Sequence, residues 1–373
     1  MEHLVSKSKP FSLVVGNPPY QAGKIQDPLI IGKSPTNIFQ KFQEVSTHYA
    51  EMTSLIYPGG RWASRTGKGM DEFGKWLSNY KHLHNVIYWA RSFELFVKDI
   101  EVSGGVTVVF TDSNKGNEGK WHLTEFHKNV SSSGYVTLPG DRTVSLFPIL
   151  NKLEEAVLNK DPKYVPLNSR KLPFSVFELS SSYAVDNPDL VVKCSENFDN
   201  IPEDDGSWVR IMVNDGHGKG GRSTWFWAKR NIFSEKSLKY VDDWKVIMSA
   251  KNINGLNGRT TQVEIIPPPS AHSFVRVCIA NFKTEDEAIN FFRWMKTDFV
   301  RCLIAASGSL IGSFACKVPD LLDYRTNGNS HIDFNKPESI NEQLFNYYGL
   351  SSDDMAEAHK FANTLEGFSN FDY

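Results

Sequence analysis

The clearest chemical signal in the sequence is a run of four residues, Asn17, Pro18, Pro19 and Tyr20. The side-chain oxygen of Asn17 and the backbone carbonyl of Pro18 are two hydrogen-bond acceptors, and consecutive prolines fix φ near about −65°, so the loop is held in shape. Tyr20 offers a flat face on which an aromatic base can stack. Such a loop could accept both hydrogens of a planar amine, such as that of adenine, and draw out its delocalised lone pair.

The elements that must position this loop belong to an alternating pattern of strands and helices. The apolar run 11–15 predicts a buried parallel strand that ends at the loop. Ligands of doubly wound sheets bind at the carboxyl ends of the strands, which is where this pattern places Asn17. Apolar periodicity predicts the following helices and strands: helix 38–52, strand 54–57, helix 70–77, strand 85–89 and strand 105–110. The predicted fold class is therefore α/β, with a partial doubly wound, Rossmann-like sheet.

The pattern changes beyond about residue 143. Apolar segments at 208–213, 245–248 and 274–279 predict strands separated by glycine- and asparagine-rich loops, and one strong helix is predicted over 284–303. That helix begins with the capping-box pair Thr284 and Glu287. A second, α+β domain is expected, so that the predicted domains are 1–143 and 144–373.

Composition bounds the possible functions. The net charge of −2 argues against a protein that binds nucleic acid over its whole surface. Residues 206–259 nevertheless contain ten Lys or Arg and four Asp or Glu, a local net charge of +6. This segment could face phosphates, or it could be an ordinary solvated basic face.

Location and metal content follow from what the sequence lacks. No stretch approaches the roughly 20 apolar residues of a membrane helix, and the first residues do not follow the plan of a signal peptide, so we expect a cytoplasmic protein. The four cysteines never form a CxxC pair, which favours free thiols and predicts neither a metal site nor a disulfide framework.

These features resemble the adenine-specific methyltransferases of bacterial restriction-modification systems, of the kind with a C-terminal target-recognition domain. The resemblance covers most of the chain. Besides the Asn17 loop it includes the segments 55–62, 67–73, 96–100 with 104–106, 295–301, 318–320 and 347–351. It implies a site-specific enzyme that methylates N6 of adenine in double-stranded DNA, with S-adenosylmethionine as the methyl donor and the base flipped out of the duplex.

The resemblance also implies roles for individual residues around the base. Asn17 and Pro18 would accept hydrogen bonds from the amine, and Tyr20 would stack on the ring. Phe96 or Phe110 would form a second aromatic wall, although either could equally belong to the core. Arg61 and Trp62 would line the pocket or the approach of DNA, although a tryptophan after a strand is more often a packing residue.

The glycine-rich loop that binds the cofactor in this family normally precedes the Asn-Pro-Pro-Tyr strand. Only sixteen residues precede Asn17 here, and Gly16 is the single glycine among them. Three explanations remain open. A second protein chain or a missing part could supply the loop, the order could be permuted, with the GxGxxG pattern in 215–221 as the loop, or the chain could have lost methyl transfer and kept DNA binding. Cofactor-binding residues are therefore left unassigned.

The second domain offers candidates for DNA contact. Lys219, Arg222 and Trp225 lie in or beside the glycine-rich segment, and Lys251 lies further along the same basic region. A flexible basic and aromatic loop suits contact with the DNA backbone or bases, and a plain hairpin loop is the alternative.

Two functions other than DNA methylation also suit these residues. A catalytically silent subunit or paralogue would bind DNA without the cofactor, and a methyltransferase acting on RNA or protein would share the Asn-Pro-Pro-Tyr chemistry. Residues 243–245 fit half of a metal-dependent nuclease pattern, but the nearest preceding Pro-Asp pair, at 188–189, is too distant in sequence to favour nuclease activity.

Overall fold

The computed structural model describes residues 9–21, 37–96, 102, 104–127, 130–249, 263–307 and 314–365. The chain divides into two compact units, Met1–Lys152 and Leu153–Tyr373. The boundary predicted from the sequence, after residue 143, lies a few residues before this division.

The first unit is built on a six-stranded mixed sheet, whose strands are β1 Phe11–Gly16, β2 Ala50–Pro58, β3 Leu83–Trp89, β4 Val106–Asp112, β5 Lys120–His127 and β6 Val130–Thr137. Their order in the sheet is β1-β2-β4-β3-β5-β6. Strands β1, β2, β3 and β5 run in one direction, whereas β4 and β6 are antiparallel to their neighbours. This arrangement confirms the predicted α/β class. Strands β5 and β6 were not predicted from the sequence. Strand β6 was missed because serines dominate it.

The helices of the first unit are α1 Phe39–Tyr49, α2 Gly60–Ala63 and α3 Met70–Ser78, and α4 Pro148–Lys160 spans the division between the units. Helix α1 connects β1 to β2 and turns Phe39 and Gln43 toward the sheet. The ring of Phe39 stacks on Tyr57 of β2, with centroids 5.0 Å apart, and Phe73 of α3 meets Phe39 edge-on at 5.9 Å. These buried rings fix both helices on one face of the sheet.

The second unit contains two small sheets. Its strands are β7 Val191–Lys193, β8 Trp208–Asn214, β9 Ser223–Lys229, β10 Trp244–Ser249, β11 Val263–Ile266, β12 Ser270–His272 and β13 Arg276–Phe282. One sheet has the order β12-β8-β9-β7 and the other the order β11-β10-β13. Its further helices are α5 Tyr183–Asp186, α6 Glu235–Val241, α7 Glu285–Lys296, α8 Asp298–Ala306, α9 Ile340–Tyr347 and α10 Ser352–Ala362.

The single helix predicted over 284–303 is wrong, because the chain forms two helices there. Thr284 caps α7 as predicted, since its side chain accepts a hydrogen bond from the amide of Glu287. Thr297 then leaves the helical conformation, at φ −61° and ψ 148°, and its side chain caps α8 at Val300. Apolar periodicity continues across Thr297, so the sequence pattern does not reveal the break. Among the described helices, none combines the length and hydropathy needed to cross a membrane.

Candidate functional site

The Asn17 loop follows β1 at the carboxyl edge of the first sheet. Strand β1 pairs in parallel with β2, and the register places Gly16 opposite Leu55. The strand itself forms as predicted, but its predicted burial is wrong. Side chains such as Val15 remain exposed because β2 is the only strand that pairs with β1 in the described sheet.

The loop is fastened at both ends. Its first end continues β1, and at its second end the carbonyl of Tyr20 accepts a 3.1 Å hydrogen bond from the amide of Ile38, just before α1. Asn17 and Pro19 are exposed, Pro18 is buried, and Tyr20 is half-buried. The side chain of Asn17 is therefore presented to solvent by a backbone that is anchored in the fold.

Asn17 and Tyr20 lie close to each other across the two prolines. Burial raises the pKa of the Tyr20 hydroxyl, and the neighbouring Asn17 side chain opposes that shift. Within the described ranges, no group makes a hydrogen bond of good geometry to the Tyr20 oxygen. The phenol is consequently neutral near pH 7, and its ring stays available as an uncharged stacking face.

Other loops at the same edge are bound to one another. The amide of Gly60, after β2, donates a 2.8 Å hydrogen bond to the carbonyl of Gly104, which precedes β4. The amide of Val102 donates to Oγ of Ser92, after β3, at 2.7 Å. Neither Ser92 nor these glycine contacts were predicted from the sequence, although it contains the pairs Gly59-Gly60 and Gly104-Gly105. Together these hydrogen bonds fix the loops that follow β2 and β3 at this edge of the sheet.

The structure separates the two phenylalanines proposed as a second aromatic wall. Phe96 is half-buried in the loop after β3, which lies at the same edge as Asn17 because β3 is parallel to β2. Phe110 lies within β4 opposite Ser54, back from this edge. Phe93 was missed, although it stands three positions before Phe96, directly after a predicted strand. It is 41% exposed, with the Arg91 guanidinium 5.7 Å from its ring.

The two residues predicted after β2 differ in their surroundings. Arg61 is exposed in α2, at the same edge of the sheet. Trp62 is fully buried, and its indole nitrogen donates a 3.3 Å hydrogen bond to the hydroxyl of Thr107. Trp62 is therefore a packing residue, and only Arg61 is placed where it could meet a ligand from solvent.

The glycine-rich segment of the second unit is a hairpin loop. It connects antiparallel strands β8 and β9, and the Asp215 amide donates to the carbonyl of Arg222 at 3.0 Å. A side chain at Gly221 would collide with the backbone of Gly216, so glycine is required where the two arms meet. Strand β9 follows the loop where a permuted cofactor loop would need a helix. The GxGxxG pattern thus serves a tight turn.

The DNA-contact candidates are only partly gathered around this hairpin. Arg222 is exposed, and Trp225 is half-buried with its ring edge-on to Phe198 at 6.0 Å. Lys219 belongs to the same loop, and Lys251 lies outside the described residues. Three of the candidates therefore lie in the β8–β9 hairpin, namely Lys219 and Arg222 in its loop and Trp225 in strand β9.

Two other basic side chains of 206–259 already have acidic partners. Arg230 pairs with Asp242 at 2.6 Å, and Lys229 pairs with Glu203 at 2.7 Å. The local charge of +6 therefore does not mean that every basic side chain of this segment is free to contact DNA. Arg222 differs from Lys229 and Arg230 in this respect, because its side chain is exposed and theirs have acidic partners.

The half-pattern of a nuclease at 243–245 is structural. Lys245 is fully buried and donates to the backbone carbonyls of Val241 and Asp243, at 3.2 and 2.7 Å. The carboxylate of Asp243 accepts from Asn281 and Lys283. Within the described ranges, no cluster of three or more His, Cys, Asp or Glu side chains could hold a metal ion.

The described residues do not fit S-adenosylmethionine on their own. None of their glycine-rich turns lies between a strand of the first sheet and a helix before the Asn17 loop, and the GxGxxG loop is a hairpin. Helix N-termini reached through such turns are the usual cradle for the charged part of a nucleotide-like cofactor.

Residues 2–96 match the sequence model of the Eco57I restriction-modification methylase family. The matched range contains β1, the Asn17 loop, β2 and β3, and it supports a role related to DNA methylation. No curated protein sequence matches this chain.

Two solved structures resemble the chain at low identity. One is the type IIG restriction endonuclease BpuSI, with a TM-score of 0.36 and 13% identity over 95% of this chain and 53% of that protein. The other is the type IIL restriction-modification enzyme MmeI in complex with DNA, with a TM-score of 0.34 and 10% identity over 95% of this chain and 54% of that protein. The chain thus spans about half the length of either protein.

Proposed function

We propose that this chain is the base-binding and DNA-recognising part of an adenine-N6 DNA methyltransferase that uses S-adenosylmethionine. The observation that carries the proposal is the Asn17 loop, which exposes an amide side chain at the carboxyl edge of a sheet and is anchored at Tyr20. The family match over residues 2–96 supports it, because the matched range contains the whole loop.

The loop suits an amine that must be activated without a charged base. The side-chain oxygen of Asn17 and the carbonyl of Pro18 would each accept one amine hydrogen, which turns the nitrogen lone pair away from the ring. Tyr20 would stack on the flipped adenine, with Phe96 or Phe93 as the facing aromatic residue. Both acceptors are neutral, so the proton released from the amine passes to water.

S-adenosylmethionine would supply the methyl group, and its pocket must be completed by residues beyond those described. This chain's own contribution is to hold the amine and to orient the base. Target reading is assigned to the second unit, where Arg222 and Trp225 stand on the β8–β9 hairpin. The proposed substrate is duplex DNA, from which a single adenine leaves the stack.

The direct test is titration calorimetry of S-adenosylmethionine with the purified chain, followed by methyl transfer to duplex DNA, RNA and a glutamine-bearing protein. Transfer confined to adenine in duplex DNA, by the chain or by its complex with a cofactor-binding partner, is the expected result. Transfer to RNA or protein in preference to DNA would contradict the proposed substrate.

A second candidate is a catalytically silent DNA-binding subunit. The observation that favours it is the hairpin geometry of the GxGxxG loop, which removes the permuted cofactor site from consideration. This candidate predicts specific DNA binding that S-adenosylmethionine does not affect, with no methyl transfer even in the presence of a partner.

A further inference from the structure

A loop of the second unit crosses one face of its four-stranded sheet. Strands β7 and β8 run in the same direction with β9 between them, so the chain must cross β9 to connect them. Such crossovers usually contain a helix that packs on the sheet. Residues 194–207 instead connect the strands without a helix, and none of these residues is buried. The connection therefore lies on the sheet as a thin cover.

This connection is acidic. Residues 194–207, the acidic loop, contain five Asp or Glu and no Lys, Arg or His. The acidic residues are Glu196, Asp199, Glu203, Asp204 and Asp205. The segment 206–259, whose local net charge is +6, follows directly in the sequence. Negative and positive segments are thus neighbours along the chain, and the fold brings them into contact.

The face beneath the acidic loop is aromatic and cationic. Residues that pair across an antiparallel ladder lie on the same side of the sheet. On this side, β8 and β9 pair Trp208 with Lys229, Arg210 with Trp227, and Met212 with Trp225. The ammonium of Lys229 lies 4.4 Å from the centre of the Trp208 ring. Surfaces that bind nucleic acid combine such groups, because cations attract phosphates and aromatic rings stack on bases.

Phe198 anchors the acidic loop on this face. Its ring lies edge-on to Trp225, with centroids 6.0 Å apart, and the guanidinium of Arg210 lies 4.9 Å from the centre of the Phe198 ring. Phe198 adopts a φ of +56°, in the left-handed region that is rare for a bulky residue. The strain of this conformation offsets part of the stabilisation that the ring contacts provide. A strained aromatic side chain therefore occupies the place beside Trp225 and Arg210 where a base could stack.

Two further side-chain contacts join the middle of the acidic loop to β9. The indole nitrogen of Trp227 donates a 3.2 Å hydrogen bond to the side-chain oxygen of Asn200. Nζ of Lys229 donates one of 2.7 Å to Glu203, and the two side chains are 37% and 63% exposed. Exposed ion pairs contribute little to stability, because water screens their charges. The carboxylate at Lys229 is therefore one that a phosphate could replace.

We propose that the acidic loop is a removable cover, which occupies a nucleic-acid site on the β8–β9 face and leaves it when DNA binds. A phosphate then replaces the carboxylate of Glu203 at Lys229, and a base replaces Phe198 beside Trp225. The site is continuous with the β8–β9 hairpin, because Trp225 belongs to both. The inference rests on the proposed function only in taking DNA as the ligand of the second unit. In the closed state the five carboxylates repel phosphates, so the acidic loop suppresses non-specific binding.

The first test is the affinity of the full chain for a mixed-sequence duplex DNA, measured by fluorescence anisotropy. Glu203→Gln combined with Asp204→Asn should raise the affinity at least about fivefold, because the closed state competes less well with DNA. The matched control is Glu338→Gln combined with Glu342→Gln, which removes the same charge from exposed positions of the same unit, and its affinity should stay within about twofold.

Phe198→Ala tests the anchor separately from the charges. Deleting the ring should also raise the affinity for duplex DNA at least about fivefold, because the contacts that hold the acidic loop closed are lost. Circular dichroism monitors the fold. If this variant does not fold, the charge variant decides alone, since its two substituted side chains are exposed.

A protease that cleaves after Glu reports the position of the acidic loop in the unchanged protein. Displacement of the loop predicts that duplex DNA accelerates cleavage after Glu196 and Glu203 at least about threefold, because cleavage follows the population of the open state. A bound ligand that lay on top of the loop would slow this cleavage instead. Polyglutamate supplies negative charge without bases, and it should leave the cleavage rate within about twofold.

Three results would overturn the removable cover. They are a charge variant whose DNA affinity matches that of its control, cleavage of the acidic loop that DNA leaves unchanged or slows, and equal acceleration of cleavage by polyglutamate and DNA. Failure of the proposed function looks different. In that case the variants of the acidic loop bind DNA more tightly, but no methyl group is transferred to adenine.

Discussion

The hydroxyl of Tyr57 in β2 donates a 3.1 Å hydrogen bond to the side-chain oxygen of Gln43 in α1, and both side chains are fully buried. The amide nitrogen of Gln43 in turn donates to the hydroxyl of Thr53 at 3.1 Å, and that hydroxyl shares a 2.7 Å hydrogen bond with Thr111 of β4. This chain of buried hydrogen bonds fixes α1 on the sheet. Because Tyr20 is bonded to Ile38 just before α1, the same chain indirectly positions the Asn17 loop.

Removing the Tyr57 hydroxyl should destabilise the first unit. In Tyr57→Phe the side-chain oxygen of Gln43 loses its donor inside the core, at a cost of about 1–3 kcal/mol in the free energy of unfolding. Urea unfolding measures this loss. Tyr135→Phe is the control, because its side chain is exposed, and its free energy of unfolding should change by less than about 0.5 kcal/mol. Coincident unfolding curves for the two variants would show that the buried hydrogen bond contributes nothing.

Gly59 is required by space. Its φ of −88° suits any residue, but an added Cβ would lie 2.5 Å from Cγ2 of Thr107 and 2.9 Å from Cδ1 of Leu146. Gly59→Ala should therefore lower the free energy of unfolding by about 1–3 kcal/mol through overpacking. Gly116→Ala is the matched control, because no atom lies within 4 Å of the Cβ position there. A thermal melt in which Gly59→Ala matches Gly116→Ala would refute the close packing at this turn.

Asn17→Ala tests the proposed activation of the amine. The side chain is exposed, so the fold should be unchanged, whereas methyl transfer should fall at least about a hundredfold because a preorganised acceptor is lost. The rate is measured on duplex DNA with the transfer-competent protein, and circular dichroism monitors the fold. Ser12→Ala, on the exposed part of β1, should keep the rate of the unchanged protein. Retention of most activity in Asn17→Ala would remove Asn17 from the proposed mechanism.

Arg222 and Arg230 offer a matched pair for DNA binding. Arg222 is exposed beside the hairpin, whereas Arg230 is bound to Asp242 through two hydrogen bonds of 2.8 and 2.6 Å. Arg222→Ala should weaken DNA binding about tenfold and reduce the slope of log affinity against log salt by about 1, since one phosphate contact is lost. Arg230→Ala should alter DNA affinity less than about twofold. Fluorescence anisotropy at several salt concentrations measures both, and an equal response would show that the hairpin is not the contact surface.

His272 makes the second unit sensitive to acid. Burial lowers the pKa of His272 from its usual 6.5 to about 4, although the hydrogen bond to the carbonyl of Ser273 partly opposes this shift. A group with a lowered pKa takes up its proton in the unfolded chain first, so stability is lost as the pH falls from 6.5 toward 4. Between pH 7.5 and pH 5 the unchanged protein should lose about 2 kcal/mol more than His272→Gln, measured by urea unfolding. Parallel pH profiles would mean that burial does not lower the pKa of His272 in the folded protein.

The sequence by itself determined the local elements. The apolar run 11–15 gave β1, the periodicity of the next segment gave α1, and the pair Thr284 and Glu287 correctly marked the start of α7. These signals succeed because strand formation, helix periodicity and capping depend on residues within a few positions of one another. The position of Asn17 at the end of a parallel strand was predictable for the same reason, since the loop directly follows β1.

Tertiary structure decided everything that depends on partners distant in sequence. It placed Phe96 at the edge with Asn17 and Phe110 inside the sheet, and it left β1 exposed at an edge although its composition predicts burial. It also made the GxGxxG segment a hairpin and joined Arg230 to Asp242 while leaving Arg222 free of that neighbour. A side chain's exposure and charge partner depend on which strands pair and in what register, and a local pattern of residue types carries no record of that choice.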